Sequence, residues 1–315
     1  MVKIVVTDGF TLNPGDLDWS PLQELGECVF YDRTAPADMV DRCREADIIL
    51  TNKAPVGSDV IAAAQSLRLI CVTATGYNNV DTDAARARGI PVCNVPEYST
   101  NAVAQHVLAM LLHYTNHIAV HAAAVQQGKW VSSPDFSFSL APVTELAGKT
   151  MGIAGLGHIG TRVATLATAF GMQVIYSSRT PKQYPARQVS IEELFSESDV
   201  VTLHCPLTPQ TDRFVNASLL ALMKPTAVLI NTGRGGLIDE PALSQALQSG
   251  RPAAALLDVL STEPPAASNP LLGLSNCIIT PHMAWAAVEA RKRLLDTVVA
   301  NIRAALAGRP QHVVN

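Results

Sequence analysis

Three polar side chains stand where apolar runs end, and their types suit one kind of chemistry. Arg234 lies in Asn231-Thr-Gly-Arg-Gly-Gly-Leu-Ile-Asp-Glu240, Glu263 in Asp258-Val-Leu-Ser-Thr-Glu-Pro264 and His282 in Thr280-Pro-His-Met-Ala-Trp285. A guanidinium holds a carboxylate through two parallel hydrogen bonds and polarises a neighbouring carbonyl. An imidazole titrates near neutrality, so it can deliver or remove a proton. A carboxylate beside the imidazole orients the ring and favours its protonated form. Hydride transfer to C2 of a 2-oxo acid needs all three groups. Arg234, Glu263 and His282 are therefore the candidate catalytic residues, and Arg234 and His282 are also candidate contacts for a small 2-oxo or 2-hydroxy acid. In the oxidation direction His282 becomes the base.

A hydride needs a carrier. Gly155-Leu156-Gly157-His158-Ile159-Gly160 follows the apolar run Met151–Ala154 and opens a helical stretch. The first glycine permits a tight turn, the second lets backbone approach a pyrophosphate, and the third lets helix pack on strand. The helix N-terminus then presents N–H groups and a positive dipole end to the phosphates. All six residues of this loop are candidate cofactor contacts. The next strand ends in Val174-Ile-Tyr-Ser-Ser-Arg-Thr180, with no acid to repel a ribose 2′-phosphate. Ser177, Ser178 and Thr180 offer hydrogen-bond donors, and Arg179 offers a guanidinium that pairs with phosphate. The pattern favours NADP(H); an Arg179 that points into solvent leaves NAD(H) open.

The elements that must position these groups form two alternating series. Strand-like runs at Lys3–Thr7, Cys28–Tyr31, Asp47–Thr51, Leu67–Thr73 and Pro91–Val95 alternate with helical stretches such as Met39–Ala46, Ser58–Gln65 and Asp81–Arg88. A long helical pattern runs from Asn101 to Lys129, and an irregular connection rich in Ser, Pro and Phe follows it. Six more strands are expected near Thr150–Ala154, Gln173–Tyr176, Asp199–His204, Ala227–Asn231, Ala253–Val259 and Cys277–Thr280. The pattern predicts the α/β class, with two doubly wound parallel-sheet (Rossmann-like) domains and a cleft between them. The amphipathic stretch Ala286–Leu306 follows the sixth strand, so it is expected to cross back onto the first domain. Residues 1–100 plus 286–315 are read as a flavodoxin-like substrate domain, and residues 101–285 as the dinucleotide-binding domain.

Composition narrows the class. The 315 residues are 48% hydrophobic and 16% charged, with a net charge of −4. That suits a globular chain and carries no nucleic-acid footprint. No apolar run reaches the ~18 residues that cross a bilayer. The first residues read as a strand and not as a signal peptide, so a cytoplasmic setting is expected. The six cysteines show no CxxC spacing and read as reduced, mostly buried thiols. His113, His117 and His121 recur every four residues, which places them along one helix face. No Glu motif or cysteine pair completes a metal set there, so no metal is expected and the stripe reads as a half-exposed or interface-lining one.

These pieces together resemble the D-isomer-specific 2-hydroxyacid dehydrogenase family. The matching segments are Gly155–Gly160, His204-Cys-Pro-Leu-Thr208, Asn231–Glu240, Asp258–Pro264 and Pro281–Trp285, in the family's order. Four further segments are similar to the glycerate dehydrogenase (hydroxypyruvate reductase) branch. They are Thr75-Gly-Tyr-Asn-Asn-Val-Asp81, Tyr98-Ser-Thr-Asn-Ala-Val-Ala-Gln105, Asp8-Gly-Phe-Thr-Leu-Asn-Pro-Gly15 and Thr51-Asn-Lys53. The resemblance implies a D-configured alcohol and substrate contacts from Asn52, Thr75, Gly76 and Tyr77. It implies cofactor contacts from His204, Cys205, Pro206, Thr211, Thr232 and Gly233, and from Asp258 beside the nicotinamide carboxamide. It also implies a homodimer built on the helix 101–129 and a cleft that closes between domains. Ser178 departs from the acid that NAD-using relatives carry there. Two rival readings use the same fold: a dinucleotide-sensing, corepressor-like binding protein, and a phosphite dehydrogenase-like enzyme.

Overall fold

The computed structural model describes residues 1–315. In chain order, the first strands and helices are β1 (Lys3–Val6), α1 (Ser20–Gln23), β2 (Glu27–Phe30), α2 (Met39–Cys43), β3 (Ile48–Thr51), α3 (Ser58–Ala63), β4 (Leu69–Val72), α4 (Thr82–Ala87) and β5 (Val92–Cys93). Two helices follow, α5 (Thr100–Asn116) and α6 (Ile118–Gln126). The second series is β6 (Thr150–Ala154), α7 (His158–Ala169), β7 (Gln173–Ser177), β8 (Arg187–Gln188), α8 (Ile191–Glu197), β9 (Val200–Leu203), α9 (Ala217–Leu222), β10 (Val228–Asn231), α10 (Glu240–Gln248), β11 (Ala254–Leu257) and β12 (Cys277–Ile279). The helix α11 (Val288–Leu306) ends the series. By contacts the chain divides into two compact units, Met1–Ser99 with Ala286–Asn315, and Thr100–Trp285.

The first unit is a five-stranded parallel sheet in the order β2-β1-β3-β4-β5. That is the flavodoxin-like order. Its inner strands, Ile48-Ile-Leu-Thr51 and Leu69-Ile-Cys-Val72, are buried along their whole length. Continuous apolar runs of this kind are what a sheet covered on both faces requires. The helix α11 buries Leu294, Leu295, Val298, Val299 and Ile302 against Ile4, Val6, Leu50 and Leu69. Arg291, buried on the same helix, pairs both terminal nitrogens with the Asp16 carboxylate at 2.7 and 2.6 Å and also donates to Leu12 O. That bidentate pair ties the loop after β1 to the helix and holds the Asp16 carboxyl below its ordinary range. The residues after α11 run beside β5, where the Asn315 side chain accepts from Val92 N and donates to Ile90 O.

The second unit holds a seven-stranded parallel sheet in the order β12-β11-β10-β9-β6-β7-β8. Both sheets are the expected α/β doubly wound type. The sequence pattern supplied six strands for this sheet, and β8 is the seventh. Arg187 and Gln188 are exposed edge residues, and a two-residue polar strand leaves no apolar signature.

The helix expected from Asn101 to Lys129 is two helices. His117 adopts a left-handed conformation, φ 50°, between α5 and α6. The Thr115 carbonyl, which an unbroken helix gives to residue 119, instead accepts from Thr144 N at 3.1 Å. The return of the 139–146 segment therefore breaks the helix. The histidine stripe is interrupted with it. His121 Nδ1 meets His117 O at 2.9 Å, and His121 Nε2 accepts from Leu140 N at 3.0 Å, so this ring braces the connection. Among the residues around the break, Ile118, Val131, Phe136 and Val143 are exposed. No helix is long and apolar enough to cross a membrane.

Candidate active site

The glycine loop follows β6, where the strand order of the second sheet reverses between β9 and β6. In open α/β sheets the crevice beyond the strand ends at that reversal is where ligands bind. Gly155 has φ +97°, and a Cβ there would come within 2.6 Å of Cys205 N. A side chain at Gly160 would collide with the carbonyl of Gly155. Gly157 is different, because a Cβ there would meet nothing. The backbone is thus bare on one side at the point where the first turn of α7 directs unpaired amides outward. Beside this sheet end, Thr232 Oγ1 is buried without a hydrogen-bond partner. An open glycine, a helix N-terminus and an orphaned hydroxyl fit a dinucleotide.

The flanking loops are braced from within. His204 N donates to Ala154 O at 2.7 Å, and His204 Nε2 lies 2.9 Å from Thr202 Oγ1. Desolvation pushes the His204 pKa down to about 4, so this ring is neutral at physiological pH. Desolvation also raises the Cys205 thiol to about 11, which keeps it protonated. The Thr211 hydroxyl donates to Pro206 O at 2.7 Å and receives Thr208 N at 2.7 Å, so it pins the turn after Pro206. The N–H of Gly233 is taken by Asn231 Oδ1. At the end of β7, Ser177 O accepts from Gly155 N, Ser178 Oγ donates to Thr180 O, and Gln188 Nε2 donates to Ser178 O. Arg179 and Thr180 are exposed at that tip.

Arg234, Glu263 and His282 follow the C-terminal ends of β10, β11 and β12, three adjacent parallel strands. His282 Nδ1 lies 2.6 Å from Glu263 Oε2, and Glu263 Oε1 accepts from Leu260 N at 3.1 Å. The carboxylate therefore holds one ring nitrogen and is itself held by backbone. One Arg234 nitrogen donates to Gly233 O at 2.8 Å, which leaves its other N–H groups without a protein acceptor. The Asn231 side chain receives Gly233 N and donates to Arg234 O, so it shapes this turn from both sides. Gly235 packs so tightly on Leu260 and Ser261 that a Cβ would overlap their backbone. Glu240 receives Ser261 N and Asn269 Nδ2, fastening the same two segments together.

Asp258 is buried, with its carboxylate turned into the loop that carries His282. Oδ1 accepts from Thr280 Oγ1 at 2.6 Å and Met283 N at 2.9 Å, and Oδ2 accepts from Ala284 N at 2.9 Å. Burial disfavours the anion, but the bonds from His106, Thr280 and the two amides outweigh it and hold the pKa below the ordinary range.

In the first unit, Asn52 is buried and turns its amide Nδ2 inward to Thr73 O and Thr73 Oγ1. That contact braces the segment after β3 against the segment after β4. Thr75 Oγ1 donates to Val95 O, and Thr75 O accepts from Asn94 Nδ2. The amides of Thr75, Gly76 and Tyr77 make no such bonds and are available to an anion. Asp8 was not singled out by sequence. Its carboxylate receives three consecutive amides, those of Asn52, Lys53 and Ala54, at 2.8, 2.6 and 2.8 Å. Asp8→Asn replaces charge-assisted bonds with weaker ones. It is expected to destabilise the chain by about 1.5–3 kcal/mol, read as a lower Tm. An unchanged Tm counts against the role.

Residues 108–284 match the model of the D-isomer specific 2-hydroxyacid dehydrogenase NAD binding domain. The whole chain is 48% identical over 321 residues to a hydroxypyruvate reductase of Blautia hydrogenotrophica, covering 100% of both. It is 42% identical to a glycerate dehydrogenase of Methylorubrum extorquens, covering 99% of this chain and 98% of that one. A solved NADPH-dependent glyoxylate/hydroxypyruvate reductase of Sinorhizobium meliloti, in complex with NADP and malonate, superposes with a TM-score of 0.84 at 32% identity, covering 99% and 96% of the two chains. The chain belongs to the D-isomer-specific 2-hydroxyacid dehydrogenase family, in the branch that includes glycerate dehydrogenase and hydroxypyruvate reductase.

Proposed function

We propose that the protein interconverts a small 2-oxo acid, hydroxypyruvate or glyoxylate foremost, with its D-2-hydroxy acid, using NADP(H) in preference to NAD(H). The observation that carries the reading is the 2.6 Å pair of His282 Nδ1 and Glu263 Oε2, which commits one ring nitrogen and leaves Nε2 for substrate. A dinucleotide held at the Gly155–Gly160 loop and the N-terminus of α7 would supply the hydride for reduction and take it up in oxidation. The Arg234 guanidinium holds the substrate carboxylate and polarises the C2 carbonyl. His282 Nε2–H gives its proton to the carbonyl oxygen, and Glu263, bonded to Nδ1, holds the ring in place for this step. In oxidation His282 takes the proton back. In the first unit the amides of Thr75, Gly76 and Tyr77 are candidate contacts for an anionic group, and the second unit binds the dinucleotide.

The full-length likeness to named reductases and dehydrogenases supports an enzyme over a dinucleotide-sensing binding protein or a phosphite oxidiser. The exposed apolar surface on residues 118–143 supports a homodimer. The test is loss of NADPH absorbance with hydroxypyruvate, glyoxylate and pyruvate in turn, and with NADH in parallel. No turnover of any of the three acids with either cofactor overturns the reading. Cofactor choice is read at the tip of β7. Ser177, Ser178 and Thr180 with Arg179 would take the 2′-phosphate, and Ser178→Asp is expected to move the ratio of kcat/KM from NADPH toward NADH by at least about tenfold, since a carboxylate repels that phosphate. An unchanged ratio places the reading of the phosphate elsewhere.

A further inference from the structure

His282 sits in a left-handed backbone conformation, φ 51°. A non-glycine residue holds that shape only when its surroundings over-determine it. The anchors are few, and most of them lead to Asp258. His282 N donates to Asp258 O at 2.8 Å and to Thr280 O at 3.0 Å. The next two amides, Met283 N and Ala284 N, donate to the two oxygens of the Asp258 side chain. Thr280, two residues before His282, gives its single hydroxyl proton to Asp258 Oδ1.

A fourth donor reaches this cluster from a distant element. His106, on α5, puts Nε2 at 3.1 Å from Thr280 Oγ1 and 3.5 Å from Asp258 Oδ1. Because the Thr280 proton is already committed to Asp258, the threonine oxygen faces His106 as an acceptor. Both neighbours of Nε2 are then acceptors, so Nε2 carries the hydrogen. The Asp258 side chain has no solvent exposure and that of His106 has 16%, so water does not readily replace this bond.

We infer that His106 is a positioning residue for His282: it completes the donor shell of Asp258 through the Thr280 hydroxyl and so fixes the loop on which His282 rides. This rests on the reading of His282 as the proton donor. The alignment of His282 Nε2 with the substrate oxygen depends on the loop backbone, and misplacement of a reacting group by about 1 Å lowers rates by about a hundredfold.

The experiment uses His106→Leu, which keeps bulk but has no donor, and His106→Gln, whose Nε2–H reaches the same place. In the full chain, His106→Leu is expected to lower kcat by about ten- to a hundredfold, with the KM for NADPH unchanged. It should also raise hydrogen exchange at the amides of Met283 and Ala284. His106→Gln should restore most of the kcat and the protection. Unchanged exchange in His106→Leu overturns the inference. So does a His106→Gln variant as impaired as His106→Leu at equal Tm, since a group needed only for packing is not rescued by a donor. Faster exchange with an unchanged kcat leaves the positioning contact standing and overturns instead the assignment of His282. In a His282→Ala background, His106→Leu should cause no further loss of kcat, because the two substitutions act on one step.

Discussion

His282→Ala is expected to lower kcat for every 2-oxo acid by about 10²–10⁴, the range that a positioned general acid contributes. The loss should fall on kcat and not on the KM for NADPH, since the ring does not form the glycine loop. Glu263→Gln should fall short of the full loss. An amide in its place keeps a single acceptor oxygen for two donors, His282 Nδ1–H and Leu260 N–H, so the ring is held by fewer bonds but its Nε2 still reaches substrate. Steady-state kinetics of both variants check the order of effects. A His282→Ala variant with parental kcat removes the imidazole from the proton transfer.

Arg234→Ala is expected to lower kcat/KM for the organic acid by about 10²–10³ or more, as for removal of one preorganised donor at a developing oxyanion. It removes the carboxylate anchor and the polariser in one step, so both KM and kcat should suffer. Arg234→Lys should recover little, because an ammonium offers a point charge in place of a planar fork. The native guanidinium spends one bond on Gly233 O, so its removal leaves a single carbonyl to be resolvated and the Tm should barely move. Thermal unfolding separates this outcome from a collapse of the Asn231–Glu240 turn. A variant with parental kcat/KM removes Arg234 from the mechanism.

Much of this arrangement is legible in the chain because parallel sheets advertise themselves. Ile48–Thr51, Leu69–Val72, Val200–Leu203 and Val228–Asn231 are buried on both faces and read as apolar runs. Groups that follow such runs stand at the sheet's carboxyl edge, so Arg234, Glu263 and His282 stand out from sequence alone. The glycine loop is legible for the same reason, since its geometry is local. The contacts that sequence missed are those whose partners are remote. Asp8 meets an amide 44 residues away, and His106 meets a hydroxyl 174 residues away. The break at His117 has the same origin, because nothing within Asn101–Lys129 announces that Thr144 will claim the carbonyl of Thr115. Asn52 is similar: the direction of its amide Nδ2 is decided by Thr73, 21 residues on and just past the end of β4.

The return of α11 to the first sheet has a consequence for the order of events during synthesis. Strands β1 to β5 emerge early, yet the cluster of Ile4, Val6, Leu50 and Leu69 is completed only when Leu294 to Ile302 have been made. The intervening unit is continuous in the chain and has no such wait, so it can fold while the earlier strands stand open. The nascent protein therefore carries an unfinished apolar sheet through most of its elongation, and that interval is when a chaperone has the most to shield.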